Sequence, residues 1–161
     1  MTAGKPRILI VAGMHRSGTS AAAALLQSAG LRVGARLLGP CPSNVRGHFE
    51  NLDFVEFHER RLRALGQDPS GWTLNGPLAF DEATAGEALR LASTHAATPA
   101  WGFKDPRTVL FLRAWAGLLP QAAFLFVHRA PWEVADSLYR RSSEYDAVFR
   151  ENPALAVDVW A

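Results

Sequence analysis

The chemistry that this chain offers begins at residues 13–20, a glycine-bounded segment between an aliphatic run and a run of alanines and leucines. Its glycines permit a tight turn, and the start of the helix that follows adds partial positive charge and N–H groups. Arg16 adds a permanent cation with a forked set of donors. Three hydroxyl side chains add further donors, those of Ser17, Thr19 and Ser20. The segment therefore predicts a cradle for a phosphate or a similar tetrahedral oxyanion.

The glycine spacing of this segment matches the phosphate-loop pattern G-x4-G-K-[ST], but the pattern's lysine is missing. Gly13 and Gly18 have four residues between them, and Thr19 stands in the lysine position. A cation lies three positions earlier, at Arg16. The segment therefore predicts an anion site that does not depend on a metal ion.

Metal-dependent nucleotide sites also place an acidic residue at the end of a core strand. The apolar run 124–127 ends instead in His128 and Arg129, which leaves Asp105 as the candidate. A divergent nucleotide kinase would have to hold Mg²⁺ through Ser20 and Asp105. That function stays open as an alternative.

Two motifs taken together resemble those of the sulfotransferases that use 3′-phosphoadenylyl sulfate (PAPS). In that family a loop after the first strand holds the 5′-phosphosulfate and carries a basic residue before Ser-Gly-Thr, as residues 16–19 do here. The family's 3′-phosphate motif has an arginine that ends a core strand and a serine eight positions later, which Arg129 and Ser137 match. The resemblance covers residues 7–141 and implies a P-loop-like sulfotransferase fold with PAPS as the sulfuryl donor. The residues that it assigns to PAPS are Arg16, Ser17, Gly18, Thr19, Ser20, Arg129 and Ser137.

The resemblance also implies a sulfuryl transfer to a hydroxyl or amine of a carbohydrate or small-molecule acceptor, and it suggests candidate catalytic residues. Carbohydrate-type members use a carboxylate in the region that residues 47–51 resemble, so Glu50 is the first choice as general base and His48 the second. Arg16 stands where members more often have lysine, and we expect it to stabilise charge on the leaving phosphate electrostatically. A non-catalytic nucleotide-binding fragment is a further alternative.

The segment Lys104-Asp105-Pro106-Arg107 ends a predicted strand and supplies two further candidates. Cytosolic sulfotransferases have a lysine there and a catalytic histidine two residues later, where this chain has Pro106. We expect Lys104 to assist the transferring sulfuryl group. Asp105 has three possible roles: a general base, a partner of Arg16, or a structural salt bridge with Arg107.

Strand and helix patterns alternate along the chain, which predicts a parallel α/β sheet with right-handed crossovers, arranged as three α/β/α layers. A serine two turns into a helix that follows a strand would face the same crevice as the arginine that ends the strand. We expect that helix to pack Pro131, Val134, Ala135 and Leu138 against the sheet. The predicted strands cover residues 8–12, 100–104 and 123–128, and the predicted helices cover 19–29, 51–65, 81–95, 108–119 and 131–141, with weakly helical pieces in 142–161.

The composition sets bounds on the class of protein. The 161 residues suit one domain, which we expect to span residues 1–161 and to be incomplete at its C-terminus. The formal charge of +2 excludes a generic polycation that coats nucleic acid, and the single cysteine excludes a disulfide framework or a multi-cysteine zinc site. The longest apolar stretch near the N-terminus is too short for a bilayer span or a secretory leader, so we expect a soluble, cytoplasmic protein.

Overall fold

The structure, a computed structural model, describes residues 7–42, 44–141 and 147–161. Its three strands are β1 (Arg7–Ala12), β2 (Ala100–Lys104) and β3 (Ala123–Phe126). They form one parallel sheet in the order β2-β1-β3, with Leu9 paired to Gly102 on one side and to Ala123 on the other. The parallel α/β arrangement is confirmed, and the carboxyl ends of all three strands meet at one edge of the sheet.

Helices supply the rest of the regular structure, and most begin where the sequence predicts. Asn51 and Asp81 cap their helices, because their side chains accept hydrogen bonds from the N–H groups of Asp53 and Thr84. The seven α-helices of the described residues are α1 (Thr19–Ser28), α2 (Leu52–Ala64), α3 (Glu82–Ser93), α4 (Leu112–Leu118), α5 (Pro131–Arg141), α6 (Val148–Glu151) and α7 (Leu155–Asp158).

The helix predicted over residues 108–119 differs in its first half. A 3-10 helix (Pro106–Phe111) comes first, and only then does α4 begin. The Asp105 side chain accepts a hydrogen bond from the N–H of Arg107. This cap starts the tighter winding directly after β2, two residues before the predicted start.

The main core lies on one face of β1 and β2, where aromatic side chains from α2 and α4 cover the sheet. Phe54 of α2 stacks on Phe103 of β2 with ring centroids 3.9 Å apart, and both are fully buried. Ile8 and Ile10 join this cluster from β1. Because side chains alternate along a strand, Leu9 and Val11 point to the other face, where α1 contacts β1 and β2.

β3 lies where the sequence predicts a strand, but the prediction that this is a core strand is wrong. Leu125 is 37% exposed and Phe126 is 61% exposed. β3 pairs only with β1 among the described residues, so it forms an edge of the sheet. The main core is centred on β2 and β1 and reaches β3 through the partly buried Phe124. Strong β propensity therefore predicted the strand correctly and its burial incorrectly.

The expectation that α5 packs on the sheet is also wrong. Val134 and Leu138 are buried in a separate cluster with Phe149 of α6 and Ala156 of α7. The short C-terminal helices therefore bury the apolar side of α5. Residues 142–146, which belong to the stretch predicted as weakly helical, lie outside the described residues. Within the described part of the chain, no helix has the length and apolar character needed to cross a bilayer.

Candidate functional site

The predicted anion loop connects β1 to α1 with two residues in the left-handed region. Gly18 has φ +96° and caps α1, and Arg16 has φ +67° although it carries a side chain. At Gly13 a Cβ would overlap the carbonyl oxygen of Val127, because the chain after β3 crosses close to the end of β1. The positive φ of Arg16 is a strained backbone conformation for a residue with a side chain, and such strain often occurs at ligand sites.

The loop contacts two residues that follow β3. Arg129 Nη1 donates to the backbone carbonyl oxygen of Arg16 at 3.3 Å. Arg16 Nε donates to the Ser137 hydroxyl at 2.9 Å, so Ser137 accepts a hydrogen bond from the anion loop. The three residues that the resemblance assigns to opposite ends of one nucleotide therefore lie at one junction.

One hydroxyl of the loop is buried and has no hydrogen-bond partner among the described residues. Ser17 is 6% exposed, and its Oγ contacts no donor or acceptor. A buried hydroxyl without a partner costs free energy, so such atoms often mark the position of a ligand or ordered water. Ser17 thus fits a loop that binds an oxyanion.

A buried ion pair lies at the opposite side of the loop. Lys104, at the end of β2, places its Nζ 2.6 Å from Glu50 Oε1, and the two side chains are 2% and 6% exposed. The same ammonium donates to the Ser20 hydroxyl and to the His48 carbonyl oxygen, each at 3.3 Å. Lys104 therefore joins the anion loop to the carboxylate that the sequence nominates as base.

The pKa of Glu50 reflects two opposing influences. Burial is the larger and raises the pKa, whereas the adjacent Lys104 ammonium lowers it. The net direction is upward, so this carboxylate is a stronger proton acceptor than one in water. A raised pKa is what a general base working near neutral pH needs.

Asp105 has a structural environment, which Arg107 and His58 provide. Its Oδ1 accepts from the Arg107 backbone N–H and guanidinium, each at 3.0 Å, and its Oδ2 lies 2.8 Å from His58 Nδ1. Trp115 Nε1 donates to His58 Nε2 at 2.9 Å, so the neutral imidazole donates its Nδ1 proton to the carboxylate. Of the three roles left open for Asp105, the structure contains the salt bridge with Arg107.

These contacts keep Asp105 ionised. Although burial opposes ionisation, the Arg107 guanidinium and the hydrogen bond from His58 hold the pKa of Asp105 well below its usual range. Both carboxylate oxygens already accept hydrogen bonds and the side chain is fully buried. Asp105 is therefore a poor acceptor for a substrate proton.

His48 lines the same region but has an environment unlike that of a base. Burial, assisted by the positive charges of Lys104, Arg141 and Arg16, lowers the pKa of His48 to about 4. Its Nε2 lies 3.3 Å from the Cys41 thiol, and its Nδ1 lies 3.9 Å from Glu50 Oε1. The imidazole is thus neutral at pH 7 and holds the proton weakly.

The loop, the junction at Arg129 and the ion pair line one cleft of about 810 Å³, within the size range of small-molecule sites. Glu50 is the single carboxylate among its described lining residues. The basic lining residues are Arg16, Arg46, Lys104, Arg129 and Arg141. The excess of positive charge favours a ligand with more than one anionic group.

Several residues of this site were not identified from the sequence. Asn44 donates to the Ser20 hydroxyl at 3.4 Å, and His58 holds Asp105 from α2. His15 lines the cleft with its Nε2 3.1 Å from the Ser70 carbonyl oxygen and its ring against Trp72. Burial and nearby cations, Arg107 first, lower the pKa of His15 to about 3. These contacts join segments far apart in sequence, and no local pattern signals them.

Comparison of the chain with family models, with curated proteins and with solved structures gives no match.

Proposed function

We propose that this protein is a PAPS-dependent sulfotransferase with a P-loop-like sulfotransferase fold. The observation that carries the proposal is that residues of the anion loop, Arg129 and the Glu50–Lys104 pair all line one cleft. PAPS carries a 5′-phosphosulfate and a 3′-phosphate, so it needs two separated anion sites on one surface.

The residues present fit such a ligand. The unpartnered Ser17 hydroxyl and the N-terminus of α1 are suited to the phosphosulfate. We assign Arg129 and Ser137 to the 3′-phosphate. Arg129 lines the cleft, whereas Ser137 lines a smaller pocket that shares Arg16 and Arg141 with the cleft, and Arg16 Nε donates to Ser137. A guanidinium binds phosphate through a forked pair of donors, which explains the use of arginine at both positions.

When bound, PAPS supplies a sulfuryl group, so that a bond forms between sulfur and the acceptor oxygen while the bond from sulfur to the phosphate oxygen breaks. Glu50 takes the proton that the acceptor hydroxyl loses. Lys104 lies between Glu50 and Ser20 and offsets negative charge beside the loop. Arg16 offsets the charge of the departing phosphate.

The kinase alternative is less compatible with the contacts of its two proposed metal ligands. The Ser20 hydroxyl accepts hydrogen bonds from the Lys104 ammonium and from Asn44, and a cation beside it repels Mg²⁺. Both oxygens of Asp105 are occupied by Arg107 and His58. The positive charge that a kinase takes from a metal comes here from the protein.

The test is calorimetric titration with adenosine 3′,5′-bisphosphate in buffer containing EDTA. We expect the bisphosphate to bind without metal. Arg129→Ala is expected to weaken its binding at least tenfold, since a charge-assisted hydrogen bond contributes about 1.5–3 kcal/mol. Adenosine 5′-phosphate lacks the 3′ group, so its affinity is expected to change less than twofold.

Arg113→Ala is the matched control, because Arg113 is an exposed arginine of α4 outside the cleft. Equal losses for the two nucleotides in Arg129→Ala remove Arg129 from its proposed role. Binding of ATP only with Mg²⁺, and no binding of the bisphosphate, favours the kinase. No binding of either nucleotide contradicts both enzymatic functions.

A further inference from the structure

The chain between β3 and α5 carries Arg129 and lies at the exposed edge of the sheet. The Val127 N–H donates to the Ala12 carbonyl oxygen at 2.9 Å, which fixes the start of this segment on β1. Its other end is Pro131, where α5 begins. Phe126, just before the segment, is 61% exposed, so the main core covers little of this edge. Contacts from outside the main core must therefore help to fix Arg129.

Trp160, which follows α7, supplies such a contact. Its Nε1 donates to the Arg129 carbonyl oxygen at 3.0 Å, across 31 positions of the chain. Its ring also meets the His128 ring in an edge-to-face arrangement, with centroids 5.2 Å apart. The indole therefore contacts two successive residues of the segment, one through its N–H and one through its ring.

Trp160 is itself anchored by the second cluster, which α5, α6 and α7 build separately from the main core. Its ring packs against that cluster, whose buried members include Val134 and Leu138 of α5. Ser137 lies between these two residues on the same helix. The C-terminal helices thus support both residues assigned to the 3′-phosphate, Arg129 through Trp160 and Ser137 through α5.

The backbone position of Arg129 matters because the guanidinium lies at the end of a long side chain. Nη1 donates to the Arg16 carbonyl oxygen at 3.3 Å, and Nε lies 3.3 Å from Glu133 Oε2. The side chain is 39% exposed, so these contacts restrain it only in part. An arginine loses rotamer entropy when it binds a phosphate, and a backbone that is already fixed lowers this cost.

We propose that Trp160 is a positioning residue for recognition of the 3′-phosphate, because its indole N–H holds the Arg129 backbone where the guanidinium reaches the cleft. This inference rests on the proposed sulfotransferase function. It assigns part of the specificity for a 3′-phosphorylated nucleotide to a residue outside both sequence motifs, which acts through Arg129.

The experiment compares the affinities of wild type and Trp160→Phe for adenosine 3′,5′-bisphosphate and adenosine 5′-phosphate by calorimetric titration. Phenylalanine keeps an aromatic ring beside His128 and removes the indole donor. We expect the affinity for the bisphosphate to fall about three- to tenfold, the scale of one hydrogen bond, and the affinity for the 5′-phosphate to stay within twofold. His128→Leu removes the ring partner of Trp160 and is expected to weaken the bisphosphate about two- to fivefold with the same selectivity.

A second pair of measurements separates positioning from general stability. In the Arg129→Ala background, Trp160→Phe is expected to cause no further loss of bisphosphate affinity, since the guanidinium through which it acts is gone. Trp132→Phe is the matched control, because Trp132 is a 72% exposed tryptophan of α5 outside the cleft lining. We expect it to leave both affinities within twofold.

Wild-type bisphosphate affinity in folded Trp160→Phe overturns the positioning role and leaves the proposed function standing. Equal losses for the two nucleotides, or a loss that adds to that of Arg129→Ala, also overturn it, because a general loosening of the fold predicts them. Melting temperatures show whether each variant is folded, and His128→Leu decides the question if Trp160→Phe is not. Absence of bisphosphate binding to wild type overturns the proposed function, and this inference falls with it.

Discussion

The pair of Lys104 and Glu50 leads to a prediction in which a second substitution repairs the first. Lys104→Met removes the ammonium 2.6 Å from Glu50 and leaves a carboxylate that is 6% exposed. The nearest remaining cation is the Arg107 guanidinium at 4.0 Å. Breaking a buried pair in this way costs about 3–5 kcal/mol, because one charge stays buried without its counter-ion.

In a chain of this length, each kcal/mol corresponds to about 2–4 °C in melting temperature, so Lys104→Met is expected to lower it by roughly 6–20 °C. The double variant Lys104→Met/Glu50→Gln replaces the orphaned carboxylate with a neutral amide. Its unfolding free energy is expected to exceed that of Lys104→Met alone by about 1–2 kcal/mol, so it should also have the higher melting temperature. Denaturant unfolding of the wild type, both single variants and the double variant measures the coupling directly.

The pH dependence supplies a second readout for the same variant. Burial raises the pKa of Glu50 above its unfolded value, so the folded state binds a proton more readily than the unfolded state. Stability from this group is therefore present at low pH and lost as pH rises through the folded pKa. Lys104→Met removes the ammonium that lowers the pKa of Glu50, so this pKa rises further in the variant. The stability that the variant loses relative to wild type is therefore expected to shrink between pH 7 and pH 5.

Arg60 and Glu87 provide the control pair, because their ion pair joins α2 to α3 with side chains 56% and 46% exposed. Breaking it with Arg60→Met is expected to cost less than about 1 kcal/mol. Additive losses in the Lys104 and Glu50 cycle, or a double variant no more stable than Lys104→Met, would refute the reasoning that Glu50 is buried as a charge held by Lys104.

Three further predictions concern the loop, His15 and the base. Gly13→Ala is expected to lower the unfolding free energy by about 2 kcal/mol or more, because the new Cβ would overlap the Val127 carbonyl oxygen. Gly117→Ala, in open space on α4, is expected to raise the unfolding free energy by about 0.5–1 kcal/mol. Denaturant titrations that rank the two variants in the other order contradict the packing at Gly13. Burial and nearby cations lower the pKa of His15 from its ordinary value of 6.5 to about 3 in the folded chain. Protonation therefore favours the unfolded chain below pH 6.5, so wild type is expected to lose about 2 kcal/mol more than His15→Asn between pH 7 and pH 5; equal losses in melting experiments rule this out. Glu50→Gln is expected to lower the rate of sulfuryl transfer from PAPS to an acceptor hydroxyl about a hundredfold or more, with the affinity for adenosine 3′,5′-bisphosphate within twofold, and full activity removes Glu50 from the role of general base.

Local sequence patterns predicted the strands and most helix boundaries well. Helix caps at Asn51 and Asp81 act through side chains that reach two or three residues along the chain, so their geometry is written in adjacent positions. The exposure of Phe126 was not predictable in this way. Burial depends on which elements cover a strand, and a run of aromatic and aliphatic residues does not record whether its strand lies at an edge or at the centre of the sheet.

The sequence by itself determined the elements and the loop chemistry: where β1 ends, where α1 begins, and which residue types stand between them. Tertiary structure alone decided the partners of those residues, since Lys104 reaches Glu50 across 54 positions and Arg16 reaches Ser137 across 121. It also assigned Asp105 to Arg107 and His58 and left Glu50 with the raised pKa. Charge pairing and burial act through space over a few ångströms, whereas sequence patterns record only neighbours along the chain.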